Sequence, residues 1–453
     1  MGLVAALSHA DAADTLAFRG AQPVSAARFI ADVEQVAQTL PARRYLVNLC
    51  ADRYRFAVGL IAALVRGQVS LLPPDQTPDT LRQLQREYGD LYVLDDVAQQ
   101  PRMIETVNYP DESRNAASQR SFAVPAFAEE QIAAIAFTSG STGKPAPHPK
   151  SWGALARGAA AEAERFALHV GARPGLVGTV PPQHMFGLES TVLLSLRGGF
   201  ALHAGRPFYP ADVAAALAQI PGDRVLVTTP VHLRALLSEG TRLPHLRQII
   251  CATAPLSPHM AAQVEARYGV PLHEVYGFTE AGMVATRRTV QGLAWQCLRD
   301  VRLRSAAGGI SVAGGHVEHE VAFTDSIQPE GDDAFILQGR NADLVNIAGK
   351  RTSLGHLNHQ LNSIDGVHDG VFFMPDEHGD GVTRLTALVV APDMSREVLL
   401  RSLRERIDPV FLPRPLYLVD ALPRNATGKL PRAALLQFAQ SCADAAAREN
   451  NIA

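Results

Sequence analysis

Residues 132–145 read IAAIAFTSGSTGKP, and this stretch decides how the rest of the chain is interpreted. A short apolar run, typical of a buried strand, leads directly into a loop of serines, threonines and glycines that ends in Lys144 and Pro145. Glycines permit a close approach of the backbone, and successive N–H groups and hydroxyls can surround a phosphate. The stretch therefore predicts a phosphate-binding loop at the end of a strand.

Three interpretations of this loop compete. The first is a plain Gly/Ser connection. The second is the P-loop of an NTPase, which needs four residues between its first glycine and a Gly-Lys pair followed by Ser or Thr. Here only Ser141 and Thr142 separate Gly140 from Gly143, and Pro145 follows Lys144, which excludes the P-loop. The third is the Thr-Ser-Gly-Ser/Thr-Thr-Gly loop of the adenylate-forming enzymes, which residues 138–145 resemble.

Length, composition and charge limit the class of protein. A chain of 453 residues suits a large domain plus a small one. With 47% hydrophobic and 19% charged residues it can bury a large core. A formal net charge of −3 argues against a nucleic-acid-binding surface, which needs a basic excess.

The cysteines and the apolar segments indicate the compartment. Cys50, Cys251, Cys297 and Cys442 are scattered, without the paired spacing of a zinc site or a disulfide framework, which favours a reduced compartment. The N-terminus lacks the basic start of a signal peptide, and the most apolar helical segment stops at Arg66, too short to span a membrane. We expect a soluble, cytoplasmic protein without a membrane span.

Strand-like and helical patterns alternate along most of the chain. YLVNLC (45–50), RVLVTT (224–229) and LRQIICAT (246–253) are typical of buried strands, and residues 77–89 and 257–269 of helices. This alternation predicts mostly parallel sheets covered by helices. After about residue 290 the pattern changes to short antiparallel strands, and a compact α+β unit follows. We place a domain boundary near Arg340, which gives domains 1–339 and 340–453.

Three further motifs follow the loop in a fixed order. VYGFTEAG occupies 275–282, GRNADLVNIAGKR occupies 339–351 and PRNATGKLPR occupies 423–432. Together with the loop, they resemble the phosphate-loop, Tyr-Gly-x-Thr-Glu, hinge and C-terminal lysine motifs of the adenylate-forming superfamily of acyl-CoA synthetases, adenylation domains and luciferases. The chain is identified as a compact, stand-alone member, and the resemblance covers nearly its whole length.

The resemblance implies a fold and a reaction. The fold is α/β, with a large N-terminal domain of parallel sheets flanked by helices, a small barrel-like part and a small, mobile α+β C-terminal domain. A carboxylate attacks the α-phosphorus of ATP, which gives an acyl adenylate and pyrophosphate, and a thiol then displaces AMP. The thiol belongs to CoA or to the phosphopantetheine of a separate acyl carrier protein, and Mg²⁺ accompanies ATP. The protein has to align the reactants and stabilise negative charge.

The resemblance also implies roles for individual residues. Tyr276 stacks on adenine, Thr279 contacts the α-phosphate, and Glu280 holds Mg²⁺, a cation that prefers oxygen ligands. Lys429 bridges carboxylate and phosphate oxygens, and His184 forms a wall near the acid. The implied ATP-binding residues are Thr138, Ser139, Gly140, Ser141, Thr142, Gly143, Lys144, Thr253, Ala254, Tyr276, Gly277, Asp325 and Arg340. Of these, Asp325 and Arg340 are implied to bind the ribose of ATP. Gly349 and Arg351 lie on the implied route of the thiol.

The sequence departs from the family pattern in several places. Ala146 and Pro147 replace the Lys-Gly that usually follows the loop, so either Lys144 or Lys150 could serve the phosphates. Ala342 stands where the hinge commonly has an acidic residue or lysine. Phe-Thr precedes Asp325, where the family has Thr-Gly. The segment between Glu280 and Asp325 is short for the family.

Several alternatives stay open at this point. We favour a small aromatic acid, such as a hydroxybenzoate or cinnamate, over a medium-chain fatty acid, because a trimmed chain has fewer segments to wall a long tunnel. A rival from another class is a catalytically silent nucleotide-binding protein on the same fold. A further rival is an adenylating enzyme that passes the acyl group to an amine or hydroxyl. The sequence does not decide between CoA and a carrier protein, or between monomer and oligomer.

Overall fold

The computed structural model of the chain describes residues 2–73, 76–97, 104–110, 122–138, 146–171, 173–306, 309–323, 325–340, 344–347, 350–375, 385–425 and 428–452. The strands are β1 Leu3–Ala5, β2 Thr15–Arg19, β3 Gln22–Ser25, β4 Tyr45–Asn48, β5 Val69–Leu72, β6 Leu91–Asp95, β7 Thr106–Asn108, β8 Ala126–Ala128, β9 Ile132–Thr138, β10 Ala146–Ser151, β11 Gly175–Gly178, β12 Ala201–His203, β13 Arg224–Thr228, β14 Gln248–Cys251, β15 Leu272–Phe278, β16 Gly282–Arg287, β17 Ala294–Cys297, β18 Arg302–Ala306, β19 Gly309–Gly314, β20 Val317–Ala322, β21 Asp325–Pro329, β22 Ala334–Arg340, β23 Leu344–Ile347, β24 Lys350–Ser353, β25 Asp369–Phe373, β26 Thr386–Val390 and β27 Leu416–Leu418.

The helices include the two segments, 77–89 and 257–269, that the sequence analysis predicts to be helical. The helices are α1 Ala26–Thr39, α2 Arg53–Val65, α3 Pro78–Tyr88, α4 Trp152–Arg165, α5 Met185–Gly187, α6 Leu194–Gly198, α7 Pro210–Ala218, α8 Pro230–Ser238, α9 Pro258–Tyr268, α10 Leu354–Asn362, α11 Arg396–Arg404 and α12 Arg432–Ile452. Thr77 and Ser257 accept the N-terminal hydrogen bonds of α3 and α9, and Gly89 and Gly269 end these helices at positive φ, as side-chain caps and glycine C-caps predict.

The first sheet positions the predicted phosphate loop. Its strands lie in the order β10–β9–β5–β4–β6–β7, and all neighbours are parallel except β9 and β10. In that antiparallel pair Thr138 lies opposite Ala146. Residues 139–145 connect the pair and lie outside the described residues. The loop thus starts at the carboxyl end of a parallel strand, where open α/β sheets bind their ligands.

The second sheet carries most of the other predicted site residues. Its order is β21–β22–β17–β16–β15–β14–β13–β11–β12–β2–β3. The central strands from β2 to β15 are parallel, and the flanking strands are antiparallel. Strands β11 and β14 are fully buried, as expected for parallel strands covered on both faces. The predicted fold class is confirmed.

The part that we expected to be barrel-like is small. Strands β18, β19 and β20 form an antiparallel sheet of three strands. The neighbouring strands β16, β17, β21 and β22 belong to the second sheet. Within the described ranges these strands form no closed barrel. In place of the expected barrel-like part, the structure has a short antiparallel sheet beside the large sheet.

The chain after Arg340 forms an α+β unit, as predicted. It contains the β23–β24 hairpin, helices α10 to α12 and the sheet β25–β26–β27. Leu357, Leu361, Phe372, Val389 and Leu403 are buried together and form its core. The hinge residues 341–343, which include Ala342, lie outside the described residues. The exact domain boundary and the mobility of this unit remain predictions.

Two further expectations concern membranes and cysteines. Across the described ranges, no helix has both the length and the apolar character that a membrane crossing requires. All four cysteines are free thiols, and Cys50, Cys251 and Cys297 are buried.

Candidate active site

Tyr276 and Asp325, which are 49 positions apart in the chain, meet at the end of the second sheet where β15 ends and β21 begins. The Tyr276 hydroxyl donates to Asp325 Oδ2 at 2.7 Å. The register of β21 and β22 places Asp325 directly opposite Arg340, so the two residues predicted to bind ribose are cross-strand neighbours. Only the backbone of Arg340 is described, not its side chain. The predicted adenine and ribose residues are thus brought together.

An aromatic cluster surrounds Tyr276, and sequence reasoning missed it. The Tyr276 ring is stacked on Phe323 with a centroid distance of 6.1 Å and an angle of 11°. Trp295 and Phe335 lie at 5.6 Å and 5.4 Å from the same ring. These residues come from four different strands or loops, so only the sheet order brings them together. The cluster fixes the orientation of the tyrosine ring.

The turn between β15 and β16 presents Thr279 and Glu280. Gly277 precedes it, and a Cβ at that position would lie 2.5 Å from the carbonyl oxygen of Gly282. Only glycine therefore allows the two strands to approach this closely. The side chain of Glu280 is 30% exposed, so its carboxylate remains accessible from solvent.

Lys150 and His148, both on β10, contact the Glu280 turn. Lys150 Nζ donates to the Glu280 carbonyl oxygen at 2.6 Å, and the lysine is only 8% exposed. His148 Nε2 lies 3.0 Å from Thr138 Oγ1 and 3.8 Å from Glu280 Oε1. Residues two apart share one face of a strand, which explains why both reach the same turn. Prolines 147 and 149 are tolerated because β10 is an edge strand.

The burial of Lys150 argues against a role as a ligand of the ATP phosphates. Burial lowers the pKa of Lys150, and the carboxylates of Glu189, Glu280 and Glu318 oppose that shift. Its ammonium group is therefore held by the protein's own oxygens rather than presented to solvent. The alternative ligand, Lys144, lies outside the described residues.

His184 lies at the start of a distorted helical segment. Its Nδ1 accepts a hydrogen bond from the Phe186 N–H at 3.3 Å, at the N-terminus of α5. A π-helical turn, Leu188–Leu193, follows directly, and such turns are frequent at functional sites. Burial and, as the smaller cause, the charge of Lys429 together lower the pKa of His184 to about 4. The imidazole is neutral at pH 7, and its Nε2 carries the proton because Nδ1 accepts.

Lys429 lies in the C-terminal unit and exchanges two hydrogen bonds with Asn425. Asn425 Oδ1 accepts from the Lys429 N–H at 2.9 Å, and the Asn425 N–H donates to the Lys429 carbonyl at 2.8 Å. Gly428 has a φ of 78°, which glycine adopts without strain. Lys429 is exposed but close enough to His184 to lower the pKa of that imidazole. The C-terminal lysine thus lies within electrostatic range of the segment that the sequence places near the acid.

Thr253 and Ala254 follow the carboxyl end of β14. Thr253 has a φ of 82°, a left-handed conformation that is rare for a β-branched residue. Such strained residues cluster at ligand-binding sites. The outlier therefore favours the predicted position of this loop beside the nucleotide.

A cavity of about 290 Å³ opens beside Glu280. Apolar side chains such as Pro149, Leu155 and Val321 line it together with Glu189 and His316. Glu189 Oε1 accepts from the Met283 N–H at 3.3 Å, and burial raises the pKa of Glu189 to about 7. His316 is 6% exposed, and burial lowers the pKa of its imidazole to about 4, so the ring is neutral at pH 7. Sequence reasoning missed both polar residues; the only signal for Glu189 was a carboxylate directly after an apolar stretch.

Not every predicted residue can be placed. Ser139, Gly140, Ser141, Thr142, Gly143, Lys144 and Gly349 lie outside the described residues. Arg340 and Arg351 are placed only by their backbones, in β22 and β24.

The donor set around Glu280 fits magnesium bound together with ATP. Among the described residues, no three or more His, Cys, Asp or Glu side chains form a metal site of their own. Magnesium usually keeps several waters and is held by one or two carboxylates plus substrate phosphates. A single accessible carboxylate at a turn beside the phosphate loop agrees with that mode.

The chain is similar in sequence to known CoA ligases. Residues 15–314 match the family model described as AMP-binding enzyme. The 4-coumarate–CoA ligase of Halorhodospira halophila is 30% identical over 65% of this chain and 73% of that protein. The enzyme of the same name from Rhodobacter capsulatus is 31% identical over 66% of this chain and 75% of that protein.

The fold is similar to that of solved structures. O-succinylbenzoate coenzyme A synthetase from Bacillus subtilis, solved in complex with AMP, superimposes with a TM-score of 0.77. The superposition covers 93% of this chain and 95% of that chain, at 19% sequence identity. At this identity the likeness establishes the shared fold alone.

Proposed function

This chain belongs to the AMP-binding enzyme family, and from that membership we propose that it is an acid–thiol ligase that activates a small aromatic acid with ATP and transfers it to CoA. In the first step a carboxylate oxygen bonds to the α-phosphorus of ATP and the bond to the bridging oxygen breaks, which releases pyrophosphate. In the second step the thiolate sulfur bonds to the acyl carbon, and the acyl–phosphate bond breaks to release AMP.

The observation that carries the proposal is the contact of Gly428, which directly precedes Lys429, with Val231 of α8 in the N-terminal part. The first step builds negative charge where the acid meets the phosphate, and a positioned cation stabilises such charge. Lys429 supplies the cation from the C-terminal unit. His184 stays neutral beside it, so it does not compete for the negative charge, and its Nε2–H is available as a donor.

We assign the nucleotide to the Tyr276 edge of the second sheet. Tyr276 orients adenine, while Asp325 and Arg340 take the ribose hydroxyls, which their cross-strand pairing supports. Thr253, Ala254 and Gly277 form the surrounding backbone. The loop from Thr138 to Lys144 holds the β- and γ-phosphates, Thr279 the α-phosphate and Glu280 the magnesium ion.

We place the ring of the acid in the cavity beside Glu280. Its volume of about 290 Å³ is at the small end of the range of ligand sites, which favours a compact aromatic acid over a medium-chain fatty acid. The names of the relatives from Halorhodospira halophila and Rhodobacter capsulatus, both 4-coumarate–CoA ligases, point to the same class of acid. Both names also favour CoA as the acceptor, while a carrier protein remains the alternative.

The second step requires the thiol to reach the acyl carbon. We propose that the unit formed by residues 340–453 rotates about the hinge after the first step, which withdraws Lys429. Gly349 and Arg351 then line the route of the thiol. The reaction is placed in the cytoplasm, in agreement with four free cysteines.

A direct experiment measures pyrophosphate release and hydroxylamine trapping with 4-coumarate, 4-hydroxybenzoate, benzoate, octanoate and acetate. We expect turnover of the aromatic acids and an AMP product. Turnover of octanoate alone contradicts the proposed acid but keeps the chemistry. Absence of turnover with every acid supports the silent nucleotide-binding alternative.

A further inference from the structure

Three charged side chains connect the loop of Lys429 to the N-terminal part of the chain. Asp369, at the start of β25, accepts from Arg424 at 2.7 Å and 2.8 Å through both carboxylate oxygens. Arg234 of α8 lies 3.3 Å from the same carboxylate. The Asp369 side chain is 11% exposed and that of Arg234 is 26% exposed, so water screens this contact only partly.

Arg424 links the carboxylate to the backbone of the lysine loop. Its second terminal nitrogen donates to the Gly428 carbonyl at 3.0 Å, one residue before Lys429. Gly428 in turn lies against α8, because a Cβ there would be 3.1 Å from Val231 Cγ2. The backbone at Gly428 is therefore joined both to Arg424 and, through its contact with Val231, to α8.

The two ion pairs behave differently if the C-terminal unit moves. Asp369 and Arg424 both belong to that unit, so their two hydrogen bonds travel with it. Arg234 belongs to the N-terminal part, and its ion pair with Asp369 exists only while α8 and β25 are in contact. An interaction that is present in one arrangement alone shifts the equilibrium toward that arrangement.

We propose that Arg234 is a positioning residue for the first half-reaction. Through Asp369 and Arg424 it holds the C-terminal unit in the arrangement in which Gly428, next to Lys429, lies against α8. This inference rests on the proposed function, because it assigns that arrangement to adenylate formation. It predicts that Arg234 contributes to adenylate formation and contributes nothing to thioester formation.

The test measures both half-reactions of Arg234→Gln in the full-length protein. Adenylate formation, followed as ATP–pyrophosphate exchange, should fall roughly three- to tenfold in kcat, the range for loss of a partly buried ion pair, with little change in the KM for ATP. Thioester formation from a supplied acyl adenylate and CoA should stay the same or become faster. Arg234→Lys keeps the cation and should restore most of the exchange rate.

The chain offers a matched control at the same boundary. His259 of α9 and Asp365 also join the two parts, at 3.6 Å, but they are 53% and 89% exposed. Asp365→Asn should leave both half-reactions unchanged, because an exposed pair contributes little.

Several results would overturn the inference. Equal loss in both half-reactions of Arg234→Gln, or no loss in either, contradicts a positioning role. If Arg234→Gln does not fold, Arg234→Met, which preserves the apolar stem of the side chain, takes its place. If neither variant folds, Arg234 is needed for stability, and the inference is overturned. Absence of exchange in the wild-type protein with every acid contradicts the proposed function instead, so the two failures are distinguishable.

Discussion

The hydroxyl of Tyr276 donates a hydrogen bond to the carboxylate of Asp325, and this contact joins two motifs that the sequence places 49 positions apart. The tyrosine ring is in turn fixed by Phe323, Trp295 and Phe335. Adenine and ribose would therefore be recognised by one connected group of side chains. Substitution of either Tyr276 or Asp325 should therefore weaken the binding of ATP.

Tyr276→Phe removes the hydroxyl and keeps the ring. A hydrogen bond to a charged group contributes about 1.5–3 kcal/mol, so we expect the KM for ATP to rise by at least about tenfold with a small change in kcat. Steady-state kinetics at saturating acid measure this. Phe278→Leu alters a neighbouring ring of the same strand without touching the hydrogen bond, and it serves as the control. An unchanged KM for ATP in Tyr276→Phe would contradict the assignment of Asp325 to the nucleotide.

Lys429→Ala should nearly abolish adenylate formation. One preorganised charge at a developing negative charge contributes roughly 3–4 kcal/mol, which corresponds to a loss of two to three orders of magnitude. Thioester formation from a supplied acyl adenylate should persist, because the lysine is withdrawn after the first step. Arg404→Ala, which removes an exposed cation from α11 of the same unit, is the control. Equal losses in the two half-reactions of Lys429→Ala would show that the lysine stabilises the fold or serves both steps.

Local sequence patterns predicted the elements and the order of the motifs. Thr77, Gly89, Ser257 and Gly269 mark helix ends because capping depends on neighbouring residues alone. The alternation of apolar runs and helices likewise predicted the parallel core of the second sheet. The residue roles came from the resemblance, since no periodicity distinguishes Glu280 from an ordinary solvated carboxylate.

Contacts between distant segments were not predictable in this way. Lys150 was considered only as a phosphate ligand, whereas its ammonium group lies against the Glu280 carbonyl. The Arg234–Asp369–Arg424 group joins three segments that have no shared pattern. His316 gave no signal because a lone histidine in the turn between two antiparallel strands is compatible with many positions. Such contacts depend on the order of strands and on how the two parts of the chain meet.

Lys150→Met tests whether Lys150 stabilises the Glu280 turn or binds the phosphates of ATP. The change removes the 2.6 Å hydrogen bond to the Glu280 carbonyl, so we expect a lower free energy of unfolding, by about 1–3 kcal/mol, and a higher Mg²⁺ concentration for half-maximal activity. Chemical denaturation and magnesium titrations measure both effects. Lys144→Ala should leave the free energy of unfolding unchanged and raise the KM for ATP. A Lys150→Met protein of unchanged stability with a raised KM for ATP would restore Lys150 as a phosphate ligand.

Glu162 should make the stability depend on pH. It lies on α4, is 1% exposed, and burial raises its pKa to about 8, while the Ser190 hydroxyl opposes this shift and Glu189 adds to it. The folded protein therefore keeps a proton that the unfolded chain loses above the ordinary glutamate pKa of 4.5. The stability contribution is fully present below pH 4.5 and is lost as the pH rises through about 8.

Glu162→Gln removes that dependence. The free energy of unfolding of the variant should exceed that of the wild type by an amount that grows between pH 5 and pH 8, by at least about 1.4 kcal/mol, the equivalent of one pKa unit. Glu189, whose pKa burial raises to about 7, acts in the same direction and leaves a residual slope in both proteins. Glu164→Gln, at an exposed position of the same helix, should not show this growth. A constant difference for Glu162→Gln across the range would mean that Glu162 is charged in the folded protein.

The cavity beside Glu280 predicts a preference among aromatic acids. Its polar groups include the buried, neutral imidazole of His316 and the carboxyl group of Glu189. Both are suited to a hydroxyl group on the aromatic ring of the acid. A site that hydrogen-bonds a hydroxyl rejects the analogue that lacks it, because its own buried polar groups then stay unpaired.

We therefore expect kcat/KM for 4-hydroxybenzoate or 4-coumarate to exceed that for benzoate or cinnamate by at least about tenfold, with adenylate formation as the measurement. His316→Phe fills the same space without a polar atom, so it should reduce this ratio mainly by slowing the hydroxylated acids. His319→Phe changes an exposed residue at the mouth of the cavity and should keep the ratio. Equal turnover of benzoate and 4-hydroxybenzoate by the wild type, or a ratio that His316→Phe leaves unchanged, would place the aromatic ring elsewhere, whereas adenylation by way of Lys429 would be unaffected.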